Sequence, residues 1–331
     1  MALGTGGPSV GTREREELPR QGGGGMVALI ALLLVQAGEP MAEARRLATE
    51  GHLERAITVL YDARRGESPS LPLLALLAQF QTANDELPQA ADTLREALEL
   101  RPGAARLRAT LGTLYFQLRR YERARAELEQ ALRSEPGNPI AHYYLAAVLK
   151  NEGELQAALP HAETAVELMP DAPPQLDTMD HSLRVNALFL LAEIRSALGD
   201  EDAEILLKQV TELDSTHPGP HYLLGRLLLK DGRGDEAGHQ LELFRQTKQA
   251  SAHVELAANA SRAGHRDMAV AELRRALDSY PEHPRALFLL AMELARRGER
   301  EEAAACLRRI LVLRPETRET VEPLLDRLEN R

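Results

Sequence analysis

Residues 105–138 read ARLRATLGTLYFQLRRYERARAELEQALRSEPGN, and this stretch decides the fold. Apolar residues recur in it at three- and four-residue steps, which is the spacing of one face of an α-helix. A first group comprises Leu107, Leu111, Leu114 and Leu118, and a second comprises Ala124, Leu128 and Ala131. Pro136 follows the second group, and proline cannot continue a helix. The stretch therefore predicts two helices joined by a short turn.

The same pattern recurs along most of the chain. Alanines recur at one constant interval, in a first series at Ala56, Ala90, Ala124 and Ala158 and in a second at Ala63, Ala97, Ala131 and Ala165. Prolines end three successive units at Pro102, Pro136 and Pro170. A fixed period of this size is typical of a solenoid, in which each unit buries its apolar face against its neighbours.

Composition points to the same fold class. Of 331 residues, 58 are Leu and 49 are Ala, while aromatic residues make up 4% and Trp is absent. Leu and Ala are strong helix formers, and few residues remain that favour strands. A formal net charge of −10 argues against nucleic-acid binding, which needs a basic surface. The single cysteine, Cys306, excludes an intramolecular disulfide, and we expect it to pack in the core.

The repeat resembles the tetratricopeptide repeat. That motif has a large residue at position 4, Leu followed by Gly or Ala at 7 and 8, and an aromatic residue or Leu at 11. Gly follows at 15, Ala at 20, a large apolar residue at 24, Ala at 27 and Pro at 32. The unit 105–138 matches it through Leu111, Gly112, Tyr115, Ala124, Leu128, Ala131 and Pro136.

The resemblance implies an all-α, right-handed solenoid of about eight helix–turn–helix repeats over residues 37–317. We expect four repeats in 34-residue register over 37–172, a Pro-led insertion over 173–184, four further repeats over 185–317 and a capping helix over 318–331. The later repeats are placed by the pairs Leu191-Ala192, Leu224-Gly225, Leu256-Ala257 and Leu290-Ala291. Their second-helix alanines are Ala203, Ala237, Ala269 and Ala303, and the middle interval is shorter than the other two.

The N-terminal residues differ from the repeats. Residues 1–25 are rich in glycine, and we expect a disordered leader. The apolar segment 26–37 begins MVALIALLLV, too short for the ~20 residues of a transmembrane helix. It is typical of a secretory signal, with Val35-Gln36-Ala37 as the cleavage site, so we expect an exported, periplasmic protein. The alternative is a cytoplasmic protein in which 26–37 is a capping helix. A further hypothesis is that the chain starts at Met26.

By the resemblance, positions 2, 5, 6, 9, 12 and 13 of the first helix of each repeat line a concave groove. Position 5 carries Tyr143, Phe189, Tyr222 and Phe288, with Tyr144 beside them. Basic residues at groove positions include Arg106, Lys150, Arg226, Lys230, Arg262, Arg285 and Arg296. We expect these aromatic and basic residues to bind an acidic protein segment with apolar anchors. The alternatives are that the aromatic side chains pack on the adjacent repeat and that the basic side chains form a solvated face.

No motif indicates an enzyme, a cofactor or a metal site. Position 5 is never Lys, so the carboxylate clamp of chaperone-binding members is absent. His142, His221 and His253 recur at position 4, and we expect them to pack in the core. The sequence thus predicts a non-enzymatic scaffold or adaptor that binds a protein in its groove. The alternative is a structural subunit of a larger complex, such as one of the cell envelope, that docks through its convex face and edges.

Overall fold

The structure, a computed structural model, describes residues 39–66, 69–169 and 183–329. These residues form helices and turns and contain no strand, so the prediction of an all-α fold is confirmed. The leader 1–25, the apolar segment 26–37 and residues 173–182 of the insertion lie outside the described residues. The chain divides into two compact units, one up to Ala97 and the other from Leu98 onward.

The first unit contains α1 (residues 39–49), α2 (Leu53–Gly66), α3 (Leu71–Ala83) and the greater part of α4 (Leu87–Leu100). The repeat alanines Ala56 and Ala90 are fully buried, because only a small side chain lets neighbouring helices approach closely. Gln81 is also fully buried; its amide donates to the Tyr61 hydroxyl at 2.8 Å and accepts from Thr93 at 2.8 Å. This polar contact ties α2, α3 and α4 together.

Within its described residues, the second unit continues the pattern with twelve α-helices after α4, and α12 is much longer than the others. Its earlier α-helices are α5 (Ala105–Gln117), α6 (Tyr121–Ser134), α7 (Pro139–Glu152), α8 (Leu155–Leu168), α9 (Leu183–Leu198), α10 (Asp202–Leu213) and α11 (Pro218–Lys230). Its later α-helices are α12 (Gly234–Arg262), α13 (Arg266–Ser279), α14 (Pro284–Arg297), α15 (Arg300–Leu313) and, after a short 3₁₀ turn, α16 (Arg318–Glu329). The repeat alanines Ala124, Ala158, Ala269 and Ala303 are fully buried here as well.

Local sequence sets where most of these helices begin and end. Asn138 caps α7 by accepting a hydrogen bond from the Ala141 amide at 3.0 Å, and Pro139 occupies the first turn. Gly153 ends α7 with a φ of 82°, a backbone conformation that favours glycine. Arg119 takes the equivalent position after α5 with a φ of 57°.

Helix α12 departs from the predicted repeat. It spans 29 residues without a break, where the repeat predicts a second helix, a turn and the next first helix. This repeat is two residues short, and Gln249 occupies position 32, where Pro136 stands in the unit 105–138. Phe244 occupies position 27, where the motif has Ala. With neither a turn residue nor room for a close helix approach, the helix continues.

The continuous helix changes which residues of the C-terminal part are buried. Ala250, Val254 and Ala257 of α12 belong to the C-terminal core, together with residues of α13, α14, α15 and α16. Leu256, which the repeat register places in the core, is 53% exposed. The Arg314 guanidinium donates to the Leu213 carbonyl at 3.0 Å, so the end of α15 lies against the end of α10.

The described residues contain no helix that combines the length and the apolarity needed to cross a bilayer.

Candidate functional site

The first helices of four successive repeats form one continuous face in the second unit. Helix α5 packs against α7, α7 against α9, and α9 against α11. We call the groove positions of these four helices the first-helix face. Of the predicted site residues, it carries Arg106, Tyr143, Tyr144, Lys150, Phe189, Tyr222, Arg226 and Lys230.

Aromatic side chains connect α5 to α7. The ring of Tyr144 lies 5.5 Å from that of Phe116 and 4.9 Å from that of Tyr143, both edge-on. Burial raises the pKa of Tyr143 to about 12, because the phenolate would lose its hydration. Tyr143 also packs against Ala165, Met169 and Ala187 in a small core cluster. This ring therefore stabilises the stack of repeats.

Two further contacts connect α7, α9 and α11. The Lys150 ammonium lies 2.6 Å from the Glu193 carboxylate, so its charge is paired within the face. The ring of Phe189 lies 4.7 Å from His217 and fits over the start of α11. A Cβ atom on Gly219 would lie 2.5 Å from Cζ of Phe189, so the absence of a side chain at Gly219 makes room for this ring.

The end of the face at α11 is more open. Tyr222 is 41% exposed, and its ring lies 5.2 Å from that of Phe244 on α12. The Arg226 guanidinium lies over the Tyr222 ring at 5.7 Å, and the Lys248 ammonium lies 5.3 Å from the Phe244 ring. Lys230 is exposed at the end of α11. These side chains form a cationic and aromatic patch that solvent reaches.

The remaining predicted residues lie elsewhere. Phe288 on α14 is 8% exposed and belongs to the C-terminal core. On α12, Arg262 is exposed and donates to Asn259 at 2.6 Å. On α14, Arg285 is half-buried, and Arg296 pairs with Glu293 at 2.6 Å. Arg106, at the start of the first-helix face, is exposed and lies 3.9 Å from Glu135.

Three residues of this region were not predicted from the sequence. Phe116 lies at groove position 12 of its repeat, so a survey of all groove positions for aromatic residues would have found it. Phe244 and Lys248 lie in the second half of their repeat, where the motif gives only structural residues. Their position beside Tyr222 follows from the continuous α12.

Two of the position-4 histidines, His142 and His221, are held by hydrogen bonds to their own repeat and to the end of the preceding one. His142 Nε2 donates to the Pro136 carbonyl at 2.9 Å, so its Nδ1 accepts from His161 Nδ1 at 2.9 Å. Burial, and then the neighbouring His142, lower the pKa of His161. His221 makes the equivalent contacts, with the Ser215 carbonyl and Gln240. Within the described ranges, no group of three or more His, Cys, Asp or Glu side chains is arranged to hold a metal ion.

Comparisons with known proteins agree with the repeat pattern. The tetratricopeptide repeat family profile matches residues 110–173 and 254–316, which confirms the resemblance. A crystal structure of a tetratricopeptide repeat protein from Parabacteroides merdae aligns over 89% of this chain and 99% of its own, with 15% identity and a TM-score of 0.50. At this identity the likeness establishes the fold alone.

Two shorter structures also align. MamA from Desulfovibrio magneticus RS-1 is 19% identical over 55% of this chain and 96% of its own, with a TM-score of 0.47. YrrB, described as a TPR protein with an unusual peptide-binding site, is 16% identical over 68% of this chain and 94% of its own, with a TM-score of 0.38. No curated protein sequence matches the chain.

Proposed function

Because the chain belongs to the tetratricopeptide repeat family, we propose that it is a non-enzymatic scaffold that binds a segment of a partner protein on the first-helix face. Repeats of this kind bury their motif positions against one another, so binding depends on the remaining exposed side chains. On the first-helix face, the largest such group is the patch around Tyr222 on α11.

The observation that carries this proposal is the exposed, unpaired state of the patch. Arg226, Lys230 and Lys248 form no ion pair with any described residue, whereas about half of the other described arginines pair with a carboxylate. Tyr222 is a large aromatic side chain that remains 41% exposed. Aromatic and arginine side chains dominate the binding energy of protein interfaces.

Charge supports an acidic partner segment. The chain has a formal net charge of −10, so three neighbouring unpaired cations create a local field of opposite sign. Such a field would speed the encounter with an acidic segment and orient it, while Tyr222 would supply an apolar contact. Position 5 holds no Lys, so we do not propose a clamp for a terminal carboxylate.

Co-purification from cells that produce the protein tests this proposal. The double variant Tyr222→Ala/Arg226→Ala should lose the partners that the wild type retains, with the melting temperature unchanged because both side chains are exposed. Arg309→Ala/Val312→Ala, which removes an exposed arginine and an exposed apolar residue from α15, is the matched control. Retention of all partners by the first variant would refute the proposal.

A second function is favoured by apolar residues exposed on second helices. Leu168 on α8, Ile205 on α10, Met268 on α13 and Val312 on α15 are between 43% and 79% exposed. Exposed apolar side chains on the outer helices are what a subunit of a larger assembly would bury. In that case Arg309→Ala/Val312→Ala would release the complex, and Tyr222→Ala/Arg226→Ala would leave it intact.

A further inference from the structure

One stripe of α11 is exposed, whereas the same stripe is covered in the other first helices of this unit. Positions 5, 9 and 12 of α11 are Tyr222, Arg226 and Leu229, and all three are exposed, Leu229 by 54%. None of the equivalent residues is exposed: Ala109, Thr113 and Phe116 on α5; Tyr143, Ala147 and Lys150 on α7; Phe189, Glu193 and Ser196 on α9; Phe288, Met292 and Ala295 on α14.

In the earlier repeats, the first helix of the next repeat covers this stripe. Phe116 of α5 contacts Tyr144 of α7, and Lys150 of α7 pairs with Glu193 of α9. Phe189 of α9 lies over the start of α11. Each of these stripes therefore packs against a neighbouring helix.

Helix α11 lacks such a neighbour because the next first helix is part of α12. The residues that would form it, 250–262, continue from the second helix and pack into the C-terminal core through Ala250, Val254 and Ala257. Tyr222 instead contacts Phe244, which belongs to its own repeat. The exposure of Tyr222, Arg226 and Leu229 shows that no described helix covers this stripe as α7, α9 and α11 cover the stripes of their predecessors.

The chemistry of the stripe specifies what would fit there. Tyr222 and Leu229 are two helical turns apart, about 10.5 Å along the axis. Arg226 lies between them, and Lys230 and Lys248 flank them without ion pairs to any described residue. An α-helix with apolar residues at i, i+3 or i+4, and i+7, and with carboxylates beside them, would bury both apolar side chains and pair the cations.

A second copy of the chain fits poorly. In a two-fold dimer through this stripe, the same patch would face itself, so Arg226 and Lys230 of one copy would approach those of the other. Juxtaposed like charges oppose association. The observations thus favour a different protein of opposite charge.

We propose that an acidic amphipathic helix of a partner protein packs on Tyr222, Arg226 and Leu229 in the place of the missing first helix. The proposal rests on the proposed function, since it specifies the partner segment for the α11 end of the first-helix face. It adds that the bound segment is helical and that it extends the stack of first helices.

Two synthetic peptides of about fourteen residues test this proposal. Both are amphipathic helices with leucines on one face; one has glutamates beside them and the other has lysines. Fluorescence anisotropy with the full chain should give a Kd for the acidic peptide at least about tenfold lower than for the basic one. Circular dichroism should show that the acidic peptide gains helix when bound.

Variants locate the binding site. Leu229→Glu should weaken the acidic peptide by about tenfold or more, because it removes an apolar contact and adds a like charge. Ile205→Glu, on an exposed residue of α10 outside the stripe, should leave the Kd within about twofold. Both substituted side chains are exposed in the wild type, so both variants should fold.

Three results would overturn the inference. They are no binding of the acidic peptide, equal binding of the acidic and basic peptides, and equal binding by wild type and Leu229→Glu. A wild-type dimer that Leu229→Glu converts to a monomer would also overturn it, because the second copy would then be the occupant. If the inference fails while Tyr222→Ala/Arg226→Ala still loses the cellular partners, the proposed function stands without it.

Discussion

The continuous helix α12 can be tested by placing proline at residue 249. Gln249 is exposed in the middle of α12, at repeat position 32, where Pro102 and Pro136 end earlier units. In a continuous helix, the amide of residue 249 donates to the carbonyl of residue 245. Proline removes that donor, and its ring collides with the same carbonyl. Gln249→Pro should therefore lower the free energy of unfolding of the C-terminal repeats by about 3 kcal/mol.

The sign of the effect distinguishes a continuous helix from a turn. If the chain turned at residue 249 as it does at Pro136, proline would be tolerated there. It would then raise the free energy of unfolding by about 0.4–1 kcal/mol, because it restricts the unfolded chain. The two structures thus predict changes of opposite sign for one substitution.

Urea denaturation followed by far-UV circular dichroism provides the measurement. Gln249→Ala is the control, since it removes the same exposed side chain and keeps the amide donor; it should change stability by less than about 0.5 kcal/mol. A kink in α12 would also move Arg314 away from Leu213, which it contacts at 3.0 Å. Small-angle scattering should detect the resulting change in the shape of the protein. A Gln249→Pro protein as stable as wild type would refute the continuous helix.

Three further predictions concern individual side chains. Arg119→Gly should raise the free energy of unfolding by about 0.5–1 kcal/mol, and with it the melting temperature, because Arg119 holds a φ of 57° that glycine adopts without strain. A lower melting temperature than that of the wild type would contradict this. Gly112→Ala should cost about 1–2 kcal/mol in urea denaturation, since the added Cβ would lie 2.6 Å from Cγ of Leu128; unchanged stability would show that Leu128 can move aside. The pKa of His161 is lower in the folded protein than its ordinary value of 6.5, because of burial and of His142, so the unfolded chain takes up the proton first. Stability should therefore fall as the pH drops below about 6.5, and His161→Gln should reduce that fall in urea midpoints taken between about pH 7.5 and pH 5.5.

The repeat could be predicted from sequence because its small residues have only one role. Ala56, Ala90, Ala124 and Ala158 are all fully buried, and each lies where two helices approach closely. A larger side chain at any of them would separate the helices, so the period of the repeat is visible without a structure. The family resemblance follows from the same residues.

The continuous α12 was not predicted, although its causes are local. The short interval between Ala237 and Ala269, Gln249 at a proline position and Phe244 at an alanine position can each be read from the sequence. Each deviation alone is compatible with a degenerate repeat. Only together do they remove both the turn and the space for a returning helix, and that combined effect depends on packing in three dimensions.

The side chains of the candidate site were predicted as one row, and their surroundings divide them. Tyr143 and Phe189 pack on neighbouring helices, Phe288 is in a core, and Tyr222 is exposed. Lys150 is paired with Glu193, whereas Arg226 lies over an aromatic ring. Which long side chain finds a partner depends on the distance between successive helices, and the repeat period does not contain that information.

The break in the repeat and the candidate site therefore have a common origin. Phe244 prevents a close helix approach at position 27, and its ring then packs against Tyr222. The same break directs residues 250–262 into the C-terminal core and leaves Leu229 without a cover. A repeat that returned to the regular length would cover this stripe, which is buried or half-buried on α5, α7 and α9. It follows that restoring all three features together, the two missing residues, proline at residue 249 and alanine at residue 244, should remove the exposed patch as well as the continuous helix.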